Sequence, residues 1–196
     1  MEGSTTKTPS TETEGYLCPV GHFCVPGAIV PRPCPPGYIQ ANEGMSECEP
    51  CPSMYYCPEF GMTVGIICEI GYYCEGTSGQ TDMGYSLAEP SFVQRKPTPC
   101  PVGTHGDPDQ DNTLTDASHM PFASSGDCMA CEAGSFCDTP GQITNSGNCD
   151  SGFVCGASQS RPGPYATTYA SAGDSGICAP GHFCTYGVTI PTICPT

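Results

Sequence analysis

Cysteine dominates the chemistry that this sequence can perform. The chain has 17 Cys in 196 residues, and one phrase keeps returning: two Cys separated by five residues, usually with Gly at the fourth position and an aromatic residue near the second Cys. The phrase begins at Cys18, Cys51, Cys68, Cys131, Cys149 and Cys178. Cysteine at this density is typical of disulfides formed outside the cell or in the secretory lumen. The sequence therefore predicts an extracellular, disulfide-rich protein.

Zinc binding is the competing chemistry for a cysteine-rich chain, because zinc sites are built from paired C-x2-C segments. That spacing occurs at Cys48 with Cys51 and at Cys128 with Cys131, which lie far apart in different repeat copies. His22 and His182 occupy the same repeat position, which indicates a structural or surface role. The pattern favours disulfides over zinc.

An acidic run carries the one further candidate for a metal. Asp107, Asp109, Asp111 and Asp116 match the alternating oxygen ligands of a calcium loop, and Ser118 stands where a bidentate Glu would close the site. One interpretation is a weak calcium site. The other is an acidic insertion that lengthens a loop between two cysteines.

Enzymatic chemistry finds no support in the sequence. No nucleophile with a base, no catalytic carboxylate pair and no phosphate-binding loop can be identified, since the phrase GTSGQTDMG lacks the Lys of a phosphate loop. We expect no enzymatic activity, and no cofactor other than calcium.

Charge and hydropathy exclude two partner classes. With 5 Lys plus Arg against 20 Asp plus Glu, the net charge is -15, which repels the phosphate backbone of nucleic acids. No apolar run is long enough to cross a bilayer, so no membrane span is predicted. Because the N-terminus lacks the basic and apolar parts of a signal peptide, we expect a piece of a longer secreted protein.

A longer repeat lies above the short phrase. Cys48, Cys51, Cys57, Cys68 and Cys74 recur, with nearly the same spacing, as Cys128, Cys131, Cys137, Cys149 and Cys155. Residues 18–35 likewise recur as residues 178–195, with nine of 18 positions identical. These recurrences divide the chain into a Thr/Glu-rich linker at 1–17, repeat units at 18–97 and 98–177, and the start of a third unit at 178–196. The linker composition suits O-linked glycan.

Glycine and proline decide the expected fold class. With 25 Gly and 22 Pro, no segment keeps an amphipathic helical period over three turns. We predict a small disulfide-rich fold of tandem modules, with short β-hairpins, many turns and little or no helix, forming an elongated rod.

The phrase CPPGYIQANEGMSECEPCPSMYYC at residues 34–57 resembles the ephrin-receptor-like cysteine-rich repeat of protist and algal surface proteins. It is also similar to the modules of tumour-necrosis-factor receptors. Related phrases return at Cys100 and Cys128, so the resemblance touches most of residues 18–195. It implies an architecture and no particular activity.

The resemblance also implies a disulfide pairing, in which four-cysteine groups pair first with third and second with fourth. The implied bonds are Cys34–Cys48, Cys51–Cys68, Cys57–Cys74, Cys100–Cys128, Cys131–Cys149 and Cys137–Cys155. Cys18, Cys24, Cys178 and Cys184 are left to form two local pairs, and Cys194 is left unpaired within the chain.

Two alternatives to this pairing stay open. A rival scheme joins Cys24 to Cys34 and makes Cys178 the odd thiol. The odd cysteine count itself has three readings: a repeat array cut before its next partner, a disulfide to a second chain, or a free reactive thiol.

These observations lead to one expected function and one alternative. We expect a segment of an extracellular structural protein that forms a homo-oligomer or filament, and the resemblance narrows the setting to a flagellar hair (mastigoneme) or a cell-coat fibre. Aromatic pairs Tyr55–Tyr56 and Tyr72–Tyr73 either join neighbouring chains or cover disulfides. The alternative is a ligand-binding ectodomain of the receptor type.

Overall fold

A computed structural model of the chain describes residues 16–76, 96–109, 121–164, 168–170 and 174–195. Two compact units can be distinguished: Met1–Ile67 with Cys74–Lys96, and Cys68–Tyr73 with Pro97–Thr196. Within the described ranges, no helix is long and apolar enough to cross a membrane. The predicted unit boundaries at residues 97 and 177 stay predictions.

The described residues of the first unit form three antiparallel hairpins, which follow one another in chain order. Their strands are two residues long and pair as β1 (His22–Phe23) with β2 (Arg32–Pro33), β3 (Tyr38–Ile39) with β4 (Glu49–Pro50), and β5 (Tyr55–Tyr56) with β6 (Ile66–Ile67).

Five hairpins of the same kind lie in the described part of the second unit. They are β7 (Tyr72–Tyr73) with β8 (Thr98–Pro99), β9 (Thr104–His105) with β10 (Met129–Ala130), β11 (Ser135–Phe136) with β12 (Gly147–Asn148), β13 (Phe153–Val154) with β14 (Gly176–Ile177), and β15 (His182–Phe183) with β16 (Thr192–Ile193). A 3-10 helix at Ser125–Asp127 is the sole helical segment in the described ranges. The predicted fold class, disulfide-rich modules with short hairpins and little helix, is confirmed.

Each described hairpin except β5–β6 begins at a Cys-x-x-Gly turn, and the sequence repeat explains why. The glycine at the fourth position has a positive φ in every such turn, from 72° at Gly21 to 92° at Gly37, a region that residues with a Cβ rarely adopt. Met54 takes the same conformation, with φ 70°. The turn reverses the chain, so the two residues after it form the first strand of the hairpin that begins there.

The disulfides are mostly local. The described bonds are Cys18–Cys24, Cys34–Cys48, Cys51–Cys57, Cys100–Cys128, Cys131–Cys137, Cys149–Cys155 and Cys178–Cys184. Cys68 and Cys74 are also disulfide-bonded, whereas Cys194 is an exposed free cysteine. Entropy loss in the unfolded chain gives each such ring about 2–4 kcal/mol of stabilisation.

Four of the implied bonds are wrong: Cys51–Cys68, Cys57–Cys74, Cys131–Cys149 and Cys137–Cys155 are absent, because Cys51, Cys131 and Cys149 bond within their own phrases. The left-handed turn is the physical reason, because it folds the phrase back on itself and brings Cys51 and Cys57 to a Cα separation of 6.1 Å, within the range that a disulfide spans. The third cysteine of each group begins the next hairpin instead.

The remaining implied bonds have a different outcome. Cys34–Cys48 and Cys100–Cys128 are present, as are the local pairs Cys18–Cys24 and Cys178–Cys184. The rival Cys24–Cys34 bond is wrong, since each of its cysteines is bonded elsewhere.

The core consists largely of these sulfur atoms. Cys34, Cys57 and many of the other half-cystines have no exposed surface, and Phe23 and Tyr38 pack with Cys34 and Cys48 in one cluster. A chain with so few large aliphatic residues uses disulfide sulfur as its buried apolar surface.

Gln40 is the largest fully buried polar side chain among the described residues. Its amide donates to the Glu47 carbonyl over 2.8 Å and accepts the Asn42 N–H over 3.0 Å. Gln40 stands where most phrases have their second cysteine, so a hydrogen-bonded amide closes this hairpin loop beside the Cys34–Cys48 bond.

We predict that Gln40→Leu destabilises the protein by about 1–3 kcal/mol, because the buried amide is lost and the Glu47 carbonyl and the Asn42 N–H lose their part-buried hydrogen bonds to it. Gln142→Leu is the matched control: Gln142 also hydrogen-bonds within its loop, but its contacts are exposed and water replaces them, so its cost stays within about 0.5 kcal/mol. Urea unfolding of the unreduced variants measures both values. Equal losses would contradict the role assigned to Gln40.

Candidate interaction site

A second set of left-handed residues lies in the loops within the hairpins and joins neighbouring hairpins. These loop residues are Gly44, Gly61, Gly141, Ser158 and Gly187, all with positive φ. The N–H of each donates to the carbonyl of the cysteine that begins the preceding hairpin: Cys18, Cys34, Cys100, Cys131 and Cys149, over 2.7 to 2.9 Å. The same type of hydrogen bond, from a loop N–H to a cysteine carbonyl, therefore occurs five times.

The carbonyl of the loop residue contacts the turn glycine that lies two hairpins earlier. A Cβ added at Gly21, Gly71 or Gly134 would overlap the carbonyl oxygen of Gly61, Gly141 or Gly187, and one added at Gly103 would lie 2.5 Å from that of Ser158. The turn position therefore needs glycine for two reasons, its φ and the close approach of another backbone.

The strand residue that precedes the next cysteine completes the contact. Gly141 lies against Pro99 and the Tyr72 ring, and Gly187 lies against Asn148. We call the three parts together a loop-binding site: a turn glycine, the residue before the next cysteine, and the carbonyl of that cysteine. Gly71, Pro99 and Cys100 form one such site, and Gly141 occupies it.

The turn itself is tied to the next hairpin by a further backbone bond. The N–H of each next cysteine donates to the carbonyl of the turn glycine, as in Cys34 to Gly21, Cys100 to Gly71 and Cys194 to Gly181, over 2.8 to 2.9 Å. Successive hairpins within a unit are thus joined by main-chain groups, which any sequence with the right glycines can supply.

The acidic run is only partly described. The Asp107 carboxylate accepts the Asp109 N–H over 2.9 Å, which is a local turn contact, while Asp111 and Asp116 lie outside the described residues. In the described ranges, no group of three or more His, Cys, Asp or Glu side chains is placed to hold a metal ion. The calcium site stays a prediction.

The histidines make local contacts. His22 and His182 each place Nδ1 near the carbonyl two residues earlier, at 3.0 Å from Val20 and 3.3 Å from Pro180. His105 is buried and contacts the Gly106 carbonyl. The shared, exposed geometry of the first two is compatible with the structural or surface role that their repeat position indicates.

The tyrosine pairs are half-buried in strands β5 and β7. The Tyr72 ring lies over Gly141, and Tyr55 lies close to Gly65, where an added Cβ would also approach Cys51 Sγ. Tyr72 therefore packs on a loop glycine of its own unit, and Tyr55 packs on a glycine that also lies close to a half-cystine. A role in joining chains stays a prediction.

Asp138 and Ser146 close the exposed loop of the β11–β12 hairpin. Ser146 Oγ donates to Asp138 Oδ1 over 2.6 Å, and Thr139 Oγ1 donates to the same oxygen over 3.1 Å. Both bonds favour the ionised carboxylate, so the pKa of Asp138 is lowered, first by Ser146 and then by Thr139.

The loop residues were not identified from the sequence as functional, although a signal for them exists. Gly27, Gly61, Gly141 and Gly187 each lie shortly after the second cysteine of their phrase. Ser158 carries no such signal, because its left-handed φ of 61° is unusual for a residue with a side chain.

Compared with models of known protein families and with curated proteins, the chain gives no match. The resemblance to ephrin-receptor-like repeats therefore stays a prediction. The disulfides indicate an extracellular or secreted protein.

We predict that Gly134→Ala and Gly152→Ala differ in stability although both glycines are left-handed, with φ 86° and 90°. A methyl group at Gly152 meets nothing within 4 Å among the described residues, whereas at Gly134 it overlaps the Gly187 carbonyl. The left-handed strain, about 1–2 kcal/mol, is common to both, and overpacking adds about 1–3 kcal/mol at Gly134. Urea unfolding without reductant gives the difference. Equal free energies of unfolding for the two variants would show that the close backbone approach does not add to the cost of the methyl group.

The pH dependence of the Asp138 loop provides a further test. Because the folded pKa of Asp138 is lowered, its bonds stabilise the loop above the unfolded pKa and are lost as pH falls through the folded value. Ser146→Ala should raise the pKa of Asp138 more than Thr139→Val does. An NMR titration of the Asp138 carboxyl measures both. A larger rise in Thr139→Val would reverse the assigned order of the two bonds.

Proposed function

We propose that this chain is a segment of an extracellular structural protein, a homo-oligomer whose cysteine-rich repeats build a filament or surface fibre such as a flagellar hair (mastigoneme) or a cell-coat fibre. It acts mechanically, with no catalytic step and no required cofactor. Disulfides fix each hairpin, and main-chain bonds between hairpins carry load along the chain.

The observation that supports this proposal is the recurrence of one hairpin-to-hairpin contact. Five loop residues make the same bond to the preceding hairpin, and four turn residues receive a loop carbonyl from two hairpins further along. A contact that repeats with the chain is typical of repeat proteins, in which each module is stabilised by its neighbours.

A receptor-type ectodomain is the second candidate, and one surface feature favours it. Pro31, Arg32, Pro33 and Phe60 line a shallow depression in the first unit. Exposed apolar rings such as that of Phe60 can receive an apolar side chain of a protein partner. Under this candidate the repeats present a binding surface and do not polymerise.

Negative-stain electron microscopy of native, unreduced protein separates the two functions. The structural proposal predicts regular filaments whose number rises with protein concentration and which are lost after disulfide reduction. Dispersed short particles at every concentration would contradict it and favour the receptor-type ectodomain. Reduced and alkylated protein is the control, because it keeps the composition and loses the hairpins.

A further inference from the structure

Strand β6 (Ile66–Ile67), in the interior of the chain, has an outer edge to which another strand can be added. Ile67 is the residue before the next cysteine and has the same register in its hairpin as Ile177 in β14. Ile177 directs its backbone away from its own hairpin, where its N–H and carbonyl bind Thr168 and Ala170 over 3.1 and 3.0 Å. The N–H and carbonyl of Ile67 therefore point outward from β6.

Proline blocks this edge in three of the other hairpins. The position before the next cysteine holds Pro33 in β2, Pro50 in β4 and Pro99 in β8. Proline has no N–H to donate, so a strand that ends in proline cannot pair with an added strand in the usual way. Edge strands of soluble proteins often use proline to prevent pairing with another chain. Strand β6 lacks this protection.

Two further hairpins cover the same position with a loop. Ala130 belongs to the loop-binding site that Ser158 occupies, and Asn148 belongs to the one that Gly187 occupies. Ile67, by contrast, makes no backbone hydrogen bond outside its own hairpin within the described ranges.

Met54 explains why a loop does not bind beside Ile67 in the usual way. In four other hairpins a loop carbonyl lies where a Cβ on the turn glycine would be. Met54 stands at this turn position with a φ of 70°, and its Cβ excludes such a carbonyl. A left-handed residue with a side chain is strained, and strain of this kind is often kept at functional positions.

Exposed apolar side chains surround the open edge. Phe60 and Val64 in the loop of this hairpin are 68% and 66% exposed, and Ile66 in β6 is 43% exposed. Ile and Val also have high strand propensity. An apolar edge strand without proline is the type of strand that pairs with another chain.

Charge favours a second copy of the chain at this hairpin more than at its neighbour. Residues 51–68 contain one carboxylate, Glu59, and no Lys or Arg, whereas residues 34–50 contain three Glu. In a chain of net charge -15, two copies repel each other least where carboxylates are few.

We infer that two copies of this chain pair edge to edge through β6, antiparallel and around a two-fold axis. The Ile67 N–H of each copy donates to the Ile67 carbonyl of the other, which gives the two hydrogen bonds of an antiparallel residue pair. One outward donor and one outward acceptor make the edge complementary to itself, as a two-fold contact requires. The inference rests on the proposed structural function, in which this contact joins neighbouring chains side by side.

Sedimentation velocity of the unreduced chain tests the contact. A contact of this size is weak, so we expect dimers with a dissociation constant of about 0.1–1 mM. Ile67→Pro removes the donor from both copies and should weaken dimerisation at least about tenfold. Its fold should persist, because three other hairpins carry proline at the same position. Disulfide mapping and circular dichroism check this.

Two controls separate the lost donor from other effects of the substitution. Ile67→Val keeps the N–H and the branched side chain, so its dimerisation should stay within about threefold of wild type. Ala130→Pro makes the same type of change at the same strand position outside the contact, and it should dimerise like wild type. Equal weakening in Ala130→Pro and Ile67→Pro would overturn the role of the β6 edge.

A mixing experiment tests the two-fold arrangement and does not depend on proline. Ile66→Lys and Ile66→Glu each place two like charges within a Debye length across the axis, so each variant alone should be monomeric. An equal mixture brings opposite charges together and should dimerise at least about tenfold more tightly than either variant alone. A mixture that stays monomeric while wild type dimerises would overturn the arrangement.

Amide hydrogen exchange tests whether the edge is open in the single chain. The Ile67 amide should exchange quickly in dilute protein and more slowly as dimers form. Slow exchange in dilute protein would show that the edge is covered within the chain and would overturn the contact.

The outcomes also separate this contact from the function it serves. Filaments that persist in Ile67→Pro, or a wild-type chain that forms filaments without the β6 pairing, overturn the contact and leave the structural function standing. Wild-type dimers that Ile67→Pro abolishes, with no filaments at any concentration, support the contact and contradict the filament.

Discussion

The close approach of two left-handed backbone segments is the constraint on which the hairpins depend. A loop carbonyl lies so near a turn glycine that the Cα has no room for a side chain, and a cysteine N–H holds the same turn from its other side. Glycine is required there by φ and by space together. Strands of two residues suffice because the main-chain bonds between hairpins add to the few within them.

The disulfides compensate for the small apolar surface that each hairpin buries. An isolated two-stranded hairpin is marginal in water, and hairpins this short bury almost no aliphatic surface. A local bond across each phrase limits the unfolded ensemble and places two sulfur atoms in the interior. Where the second cysteine is missing, as in the hairpin that Gln40 closes, a satisfied amide and the Cys34–Cys48 bond have the same effect.

The sequence was enough to predict the fold class, since glycine, proline and cysteine together exclude helices and large cores. Most of the described hairpins begin at the glycines in the fourth position of the cysteine phrases, because the turn there needs a left-handed residue, but the sequence alone did not assign them there. The pairing implied by resemblance failed at Cys51 and Cys131, because cysteine order along a chain does not reveal which way a turn folds. The loop contacts could not be predicted for a similar reason. Gly61 and Gly21 are distant in the sequence, and their backbones meet only in the folded chain. Ser158 shows the limit most clearly, since nothing in its side chain indicates a left-handed loop.

The direction of the loop contacts has a consequence for biosynthesis. The five loop residues that join neighbouring hairpins each donate to the carbonyl of a cysteine that lies earlier in the chain, and most of the described disulfides join the two cysteines of a single phrase. When a hairpin emerges during secretion, the preceding hairpin that it binds has therefore already formed. Its own two cysteines can form their disulfide before the next phrase is synthesised. Folding can follow synthesis from the N-terminal end, with short loops to close and few distant cysteines exposed to mispairing.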